Sequence, residues 1–412
     1  MLAASAPARS HLRAAIAYCL IGLANTILPS VVFSGAYLIV PYPRLAVILI
    51  QTFPAVLAKV LVPHLLPWFS YRRVPIAVAL GWAVSTFVIH VSPPNVTPLL
   101  RIFGVTLSSI TAAVGEVLWL GRLRHYGKPG LAGWGIGTGV GGVVCAVLPY
   151  VLTVHMGQFV RYGLGYAWYL VPTILVSHYL ILPSPSLANG RDGRSSLEGD
   201  IELDGEIRGR LLERIPSKPR APLEYAQANW GLAKRLMRPF VLPLALAFAA
   251  ESAVFPGFSR AMPVSHEFGS YAAFVAAYGL ALQLGNLVAR ASIVVAKPPR
   301  ARATLLVLAV GVICLHVLAS GASSPALAGS ALVFGLVFLA GLAAGGTYMG
   351  TFAAAVEDKG FESRGQHEFG LGFIGVGESA GLILGAMAGA ALEAVMCGMP
   401  LEGGERWCDT TR

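Results

Sequence analysis

Charged residues are scarce in this chain. They make up 12% of its 412 residues, whereas 56% of the residues are hydrophobic and the mean hydropathy is +0.68. A soluble domain usually carries about 25% charged residues, and a soluble core of this size could not bury so much apolar surface. The composition therefore excludes an ordinary soluble protein. It predicts an all-α integral membrane protein, with lipid as the solvent for much of the chain.

Cysteine is also rare, at five residues, and the spacing of those five suggests no metal site. Cys397 and Cys408 could form a disulfide if the tail of the chain faces an oxidising lumen. Enzymes of lipid chemistry need clustered Asp, His or Cys side chains near the membrane surface, and the sequence contains no such cluster. The absence of such a cluster argues against a membrane enzyme. We therefore expect no catalytic residues, no metal and no cofactor.

Long apolar runs dominate the sequence. A membrane-spanning helix needs roughly 20 mostly apolar residues. Eleven such runs can be placed, near residues 14–40, 44–69, 74–92, 98–120, 131–157, 163–182, 236–258, 268–296, 302–322, 326–355 and 368–397. Between the sixth and seventh runs, Pro, Gly, Ser and mixed charges predict a solvated linker. The predicted organisation is a bundle of six helices at 1–182, the linker at 183–235, a bundle of five helices at 236–397 and a tail at 398–412.

The basic residues predict which side of the membrane the linker occupies. The net charge is +10, and Lys and Arg cluster at the ends of apolar runs, which is typical of membrane topology rather than of nucleic-acid binding. With the N-terminus in the cytosol, 22 of the 30 Lys and Arg residues fall on the cytosolic side and 6 on the opposite side. This asymmetry predicts a cytosolic N-terminus and a cytosolic linker. Because eleven helices cross the membrane an odd number of times, the C-terminus is then expected on the non-cytosolic side.

Among the ionisable residues inside the apolar runs, five stand out: Lys59, Glu116, Glu251, Arg290 and Glu378. Each charge at a helix centre costs about 3 kcal/mol on insertion scales, so such residues usually face a cavity or a partner. One interpretation is a path for a substrate or a proton through the bundle. The alternative is a set of buried ion pairs that fixes helix register. Arg290 could instead extend toward the membrane surface.

Two other features carry predictions of their own. Glycines four residues apart recur in the late apolar runs, as in the series from Gly377 to Gly389, and predict close helix packing. In the linker, acidic residues from 198 to 206 precede Leu211 and Leu212. This pattern resembles an acidic dileucine sorting signal for an endolysosomal compartment, with one residue more than the usual spacing. An amphiphilic turn of the linker is the alternative.

Several segments in order along the chain resemble the battenin family, the lysosomal and vacuolar membrane proteins named for Batten disease. These segments are FPAVLAK at 53–59, SSITAAVGEV at 108–117, WGIGTGVGG at 134–142, AAE at 249–251, GLAAGGTYMGTF at 341–352 and EFGLGFIGVGESAG at 368–381. The resemblance implies about eleven transmembrane helices in a two-bundle fold like that of the major facilitator superfamily, whose bundles rock about a midplane site. It also adds Tyr348, within the 341–352 segment, to the candidate path.

The resemblance implies a location in the vacuolar or lysosomal membrane and roles in vacuolar pH control, basic amino-acid homeostasis and clearance of glycerophosphodiesters. The expected partners are membrane lipid and a small-molecule substrate, with no nucleic acid. The chain departs from the family pattern at polar positions: Gln51 stands where an aspartate is usual, and Phe255-Pro256 replaces an Asn-Gln pair. A non-transporting membrane protein that regulates trafficking or vacuolar acidification, or another facilitator-type carrier, therefore remains an alternative to a battenin-like transporter.

Overall fold

The computed structural model describes residues 6–39, 44–68, 72–92, 98–156, 168–183, 222–257, 259–264, 267–295, 331–361, 363–399 and 405–410, most of them in helices. The first half comprises α1 (Ala6–Ile39), α2 (Arg44–Leu65), α3 (Val74–Val91), α4 (Pro98–Gly121), α5 (Leu123–Tyr150) and α6 (Leu170–Val176). The second half comprises α7 (Pro222–Leu236), α8 (Leu242–Ser252), α9 (Tyr271–Ala291), α10 (Ala331–Glu357), α11 (Arg364–Ile374), α12 (Val376–Cys397) and α13 (Trp407–Thr410).

Within these ranges, nine helical stretches are long and apolar enough to cross a membrane, and a shorter apolar helix covers Leu170–Ile181. They coincide with ten of the eleven predicted runs. The eleventh run, near 302–322, and the proposed sorting signal at Leu211 and Leu212 lie outside the described residues.

Helical structure begins again earlier than the sequence predicted, inside the segment assigned to the linker. Helix α7 starts at Pro222 and joins α8 through a π-helical turn at Met237–Val241, so that Asn229–Gly257 forms one candidate span. Its composition is too polar to be recognised as a membrane helix. However, Leu232 and Leu236 on one face are buried against the rest of the protein, and this packing stabilises the helix.

The two halves repeat one packing scheme. In the first half α1 packs against α5 and α2 against α4, and in the second half α8 packs against α12 and α9 against α10. The halves meet where α5 packs against α9 and where α2 packs against α12. Repeated halves of this kind are the plan of facilitator-type transporters, in which the solute site lies between the halves.

Glycines allow the closest of these helix contacts. A side chain added at Gly137 of α5 would meet the backbone carbonyl of Cys19 on α1, and one added at Gly381 of α12 would meet the carbonyl of Ala245 on α8. Only a residue without a Cβ permits backbones to approach this closely. The packing role predicted from the four-residue glycine spacing is therefore confirmed for α12.

At the end of the bundle where α2 and α4 finish, the two halves are in contact. The Nε2 atom of His125 lies 3.3 Å from Oε1 of Glu368, and the Nζ atom of Lys128 lies 3.0 Å from Oε1 of Glu357. Beneath these pairs, Val60 of α2 packs with buried apolar residues of α7, α11 and α12. We call this region the closed end.

The C-terminal tail folds back onto the second half. Cys397, the last residue of α12, forms a disulfide with Cys408. The guanidinium of Arg406 is buried and donates to the Ala261 carbonyl at 2.9 Å. The indole of Trp407 stacks on Phe274. The disulfide that the sequence allowed is thus present, within a tail held by several contacts.

Candidate functional site

Lys59 lies at the centre of a buried ion cluster. Its side chain projects from α2, is 4% exposed, and places Nζ 2.8 Å from Oε2 of Glu116 and 2.9 Å from Oε2 of Glu378. Glu116 belongs to α4 in the same half, whereas Glu378 belongs to α12 in the other half. One cation is therefore shared by two carboxylates, and one of its two ion pairs crosses between the halves.

Gly375 brings the last candidate span close to this cluster. It lies between α11 and α12 with helical backbone angles, φ −59° and ψ −15°, and Glu378 follows in the first turn of α12. A Cβ at position 375 would lie 3.1 Å from Oε1 of Glu116 and 3.6 Å from Cδ of Lys59. Glycine at this position therefore lets the backbone approach the ion cluster.

Arg290 belongs to a second group of polar side chains near the ion cluster. Its side chain is 8% exposed, its NH1 atom donates to Oγ1 of Thr138 at 2.7 Å, and its guanidinium lies 4.4 Å from the centre of the Tyr348 ring. The ring in turn is fixed by a hydrogen bond of 2.9 Å, in which Nε1 of Trp134 donates to the Tyr348 hydroxyl. Arg290 does not extend to the membrane surface, because the hydroxyl and the aromatic face hold it inside the bundle.

Glu251 is held in the same region by a neutral partner. The Asn286 amide donates to Oε1 of Glu251 at 2.6 Å, and the other carboxylate oxygen, Oε2, is buried without a hydrogen-bond partner among the described residues. Asn286 lies one turn before Arg290 on α9. Glu251 is close enough to both Arg290 and Glu378 for their charges to interact. This interaction links the second polar group to the ion cluster.

All six candidate residues therefore converge. Glu378 and Arg290 are close enough for their charges to interact, and Tyr348 lies close to both Glu116 and Glu378. The side chains come from both halves, and three contacts cross between the halves: Lys59 with Glu378, Thr138 with Arg290, and Trp134 with Tyr348. Together these residues form what we call the interhalf site.

Three members of the interhalf site were not among the sequence candidates: Trp134, Thr138 and Asn286. They are neutral, and neutral polar residues are common enough in membrane helices that they did not stand out. A signal was present, because Asn286 and Arg290 are four residues apart, as are Trp134 and Thr138. Residues four apart lie on the same face of a helix. Within the described residues, no group of three His, Cys, Asp or Glu side chains is placed to hold a metal ion.

Comparison with known proteins identifies relatives over almost the whole length. A family model described as CLN3 protein matches residues 16–399. Protein btn-1 of Neurospora crassa is 29% identical over 95% of this chain and 90% of its own length, and protein BTN1 of Chaetomium globosum is 30% identical over the same shares.

Solved structures share the fold at low sequence identity. The human organic anion transporter MFSD10 aligns with a TM-score of 0.58 at 16% identity, over 95% of this chain and 97% of that protein. The proton:xylose symporter XylE, a member of the major facilitator superfamily, aligns with a TM-score of 0.53 at 14% identity, over 91% of this chain and 86% of that protein. The predicted two-bundle, facilitator-like fold is confirmed.

Proposed function

We propose that this chain, which belongs to the CLN3 or battenin family, is a membrane transporter that moves a small charged solute between its two halves together with a proton. The observation that carries the proposal is the interhalf site, where three buried polar contacts join one half to the other. The family and the facilitator-like fold support a membrane transporter. Charges that served only to fix helix register could have been distributed over separate helix contacts, whereas here they converge.

The charges are distributed unequally between the halves. In the first half Lys59 and Glu116 balance each other, so this part of the site stays neutral when the halves separate. In the second half Glu251 and Glu378 are accompanied by one cation, Arg290. With all groups ionised, the second half carries one uncompensated negative charge. Burying such a charge is costly, so a proton or a cationic group of the substrate is needed to neutralise it.

We assign Glu251 as the group that takes up this proton or pairs with the cationic group of the substrate. One of its oxygens accepts from Asn286 and the other has no hydrogen-bond partner among the described residues. A proton on that oxygen would remove the buried charge. An amine group of a substrate would instead pair with the carboxylate. Glu378 is less suited to this role, because it already accepts from Lys59 and lies at the N-terminus of α12.

Arg290 is the group that we assign to an anionic part of the substrate. Its Nε atom is buried without a hydrogen-bond partner among the described residues, and its NH1 atom is bound only by a neutral hydroxyl. Lys59, by contrast, is already paired with two carboxylates. A glycerophosphodiester, one of the substrate classes expected for the family, carries one negative phosphodiester charge that would pair with Arg290. A basic amino acid offers a carboxylate for Arg290 and an amine for Glu251.

We further propose that the protein resides in a vacuolar or lysosome-like membrane with its N-terminus and linker in the cytosol. The charge asymmetry of the sequence supports this orientation, and it places the closed end at the cytosolic face. In that orientation the contacts of Lys128 with Glu357 and of His125 with Glu368 close the cytosolic exit. The conformation described here would then be closed toward the cytosol.

Flux measurements test the proposal. Purified protein in liposomes is expected to transport either a labelled glycerophosphodiester or labelled lysine across an imposed pH gradient. Glu251→Gln is expected to reduce that flux strongly, because the amide can neither take up the proton nor pair with an amine. Glu405→Gln is the matched control, since it makes the same chemical change at an exposed residue of the tail, away from the interhalf site and the closed end.

The outcomes separate the parts of the proposal. Flux of neither probe by the wild-type protein would contradict transport of these two substrate classes. Flux that is equal in the wild type and Glu251→Gln would remove Glu251 from the mechanism. An equal loss in Glu405→Gln would show that the assay reports general damage rather than the loss of a buried carboxylate.

A further inference from the structure

An exposed basic face lies at the start of the first candidate span of the second half. Trp230 of α7 is 57% exposed, and the side chains of Lys234, Arg235 and Arg238, which follow within two turns, are exposed as well. The Nζ atom of Lys234 lies 5.4 Å from the centre of the Trp230 ring. We call these four residues the basic face.

The position of the basic face corresponds to the boundary between lipid headgroups and acyl chains. Along the same span, the next exposed side chains are apolar, and include Leu242 and Leu246. One turn of helix rises by about 5.4 Å, so the change from basic to apolar surface takes place within about one turn after Arg238. Trp, Lys and Arg are the residues that concentrate at this depth of a membrane.

The charge along this stretch of the helix is of one sign. The sequence contains no acidic residue between Glu224 and Glu251, so none lies within two helical turns of the three cations along the chain. Lys234 is held beside the indole of Trp230, a cation–π contact that leaves its ammonium able to bind an anion. A headgroup with a net negative charge complements this surface, whereas a zwitterionic headgroup does not.

The opposite face of the same helix connects the basic face to both halves of the protein. Leu232 and Leu236 pack in a buried cluster with Phe369 of α11 in the second half and Val60 of α2 in the first half. Near the start of α7, the ring of Tyr225 packs edge-to-face with that of Trp68, three residues after the end of α2. Helix α7 therefore covers the closed end on one side and presents the exposed basic face on the other.

We propose that the basic face binds the headgroup of an anionic phospholipid, and that this binding stabilises the conformation with the closed end in contact. The occupant is a lipid of the surrounding bilayer, because the exposed surface continues directly into the apolar face of a membrane-spanning helix. Each basic residue near an anionic membrane surface contributes about 1 kcal/mol, or roughly fivefold in affinity. Neutralising all three is therefore expected to weaken the binding on the order of 100-fold.

Two measurements on the full-length protein test this proposal. In detergent micelles, dioctanoyl phosphatidylserine is titrated against dioctanoyl phosphatidylcholine, and the thermal unfolding midpoint is followed. We expect phosphatidylserine to raise the midpoint more than phosphatidylcholine. We expect the extra increase to be lost in the triple variant Lys234→Gln, Arg235→Gln, Arg238→Gln. The variant Lys234→Arg, Arg235→Lys, Arg238→Lys keeps the charge and is expected to retain the response.

In vesicles of phosphatidylcholine mixed with a photoactivatable phosphatidylserine, we expect covalent adducts on residues 227–246. This measurement uses the wild-type protein and so does not depend on the folding of a variant. Equal responses to the two lipids, an unchanged response in the glutamine variant, or adducts located elsewhere would each overturn the proposal. Cross-linking of two protein copies through the basic face in place of lipid adducts would also overturn it, since the face would then be an interface between copies.

Discussion

Removing the shared cation of the interhalf site should be more damaging than removing either of its partners. In Lys59→Met the side-chain volume is nearly kept, but two carboxylates that are only 13% and 18% exposed lose the ammonium that lies 2.8 and 2.9 Å away. Breaking a buried ion pair by removing one partner costs about 3–5 kcal/mol, because the remaining charge is left uncompensated. Glu116→Gln or Glu378→Gln leaves Lys59 with one carboxylate, so we expect a cost of about 1.5–3 kcal/mol, that of one hydrogen bond to a charged group.

Unfolding in mixed micelles of mild detergent and SDS, followed by tryptophan fluorescence, measures these differences. Lys128→Met is the matched control, because the Lys128–Glu357 pair is largely exposed and such pairs contribute about 0–1 kcal/mol. The expected order of destabilisation is Lys59→Met, then the two Glu→Gln variants, then Lys128→Met. A cost for Glu378→Gln as large as that for Lys59→Met would refute the shared-cation geometry. A cost for Lys59→Met no larger than that for Lys128→Met would refute the burial of the cluster.

Three further predictions follow from the structure. Thr138→Val should lower transport by roughly tenfold or more, because the buried guanidinium of Arg290 loses its hydrogen bond. Thr138→Ser keeps the hydroxyl and should preserve most of the flux. Equal flux in both variants would contradict a role for this hydrogen bond. Gly375→Val should lower the free energy of unfolding by about 1–3 kcal/mol, because the larger side chain overpacks against the neighbouring carboxylate. Gly346→Val should cost less, because an added Cβ there meets nothing within 4 Å. The opposite order would contradict the close approach of the backbone at Gly375. Maleimide labelling of unfolded protein should count two more thiols after reduction because Cys397 and Cys408 form a disulfide, and an unchanged count would show that these thiols are free.

The sequence located the charged members of the interhalf site but not their partners. A charge inside an apolar run of about 20 residues is energetically anomalous, and this anomaly identified Lys59, Glu116, Glu251, Arg290 and Glu378 without any knowledge of the fold. It could not pair them. Lys59 and Glu378 are 319 residues apart in the sequence, and their contact exists only because α2 and α12 pack together across the two halves.

Local rules were also insufficient at two further points. A lone arginine four residues before the end of its span could reach the membrane surface, and only the positions of Thr138 and Tyr348 decide that Arg290 remains inside. Similarly, the polar composition of α7 predicted a linker, and its helical structure depends on tertiary contacts of Leu232 and Leu236 that composition does not report. The four-residue glycine spacing, by contrast, is a local property of one helix face. It therefore predicted close packing correctly without identifying the partner helix.

The two interpretations of the buried charges make opposite predictions for an apolar replacement of the ion cluster. Replacing a buried ion cluster by apolar side chains of similar volume is often neutral or stabilising by about 1–4 kcal/mol, because the desolvation penalty disappears. If the cluster serves transport, the combined variant Lys59→Met, Glu116→Met, Glu378→Met should be at least as stable as the wild type. It should have lost flux, because no ion pair then forms between the two halves at this position. If the cluster serves to fix helix register, the same variant should lose its cooperative unfolding transition. A stable variant that retained full flux would contradict both interpretations, and SDS unfolding and liposome flux measured on one preparation distinguish all three results.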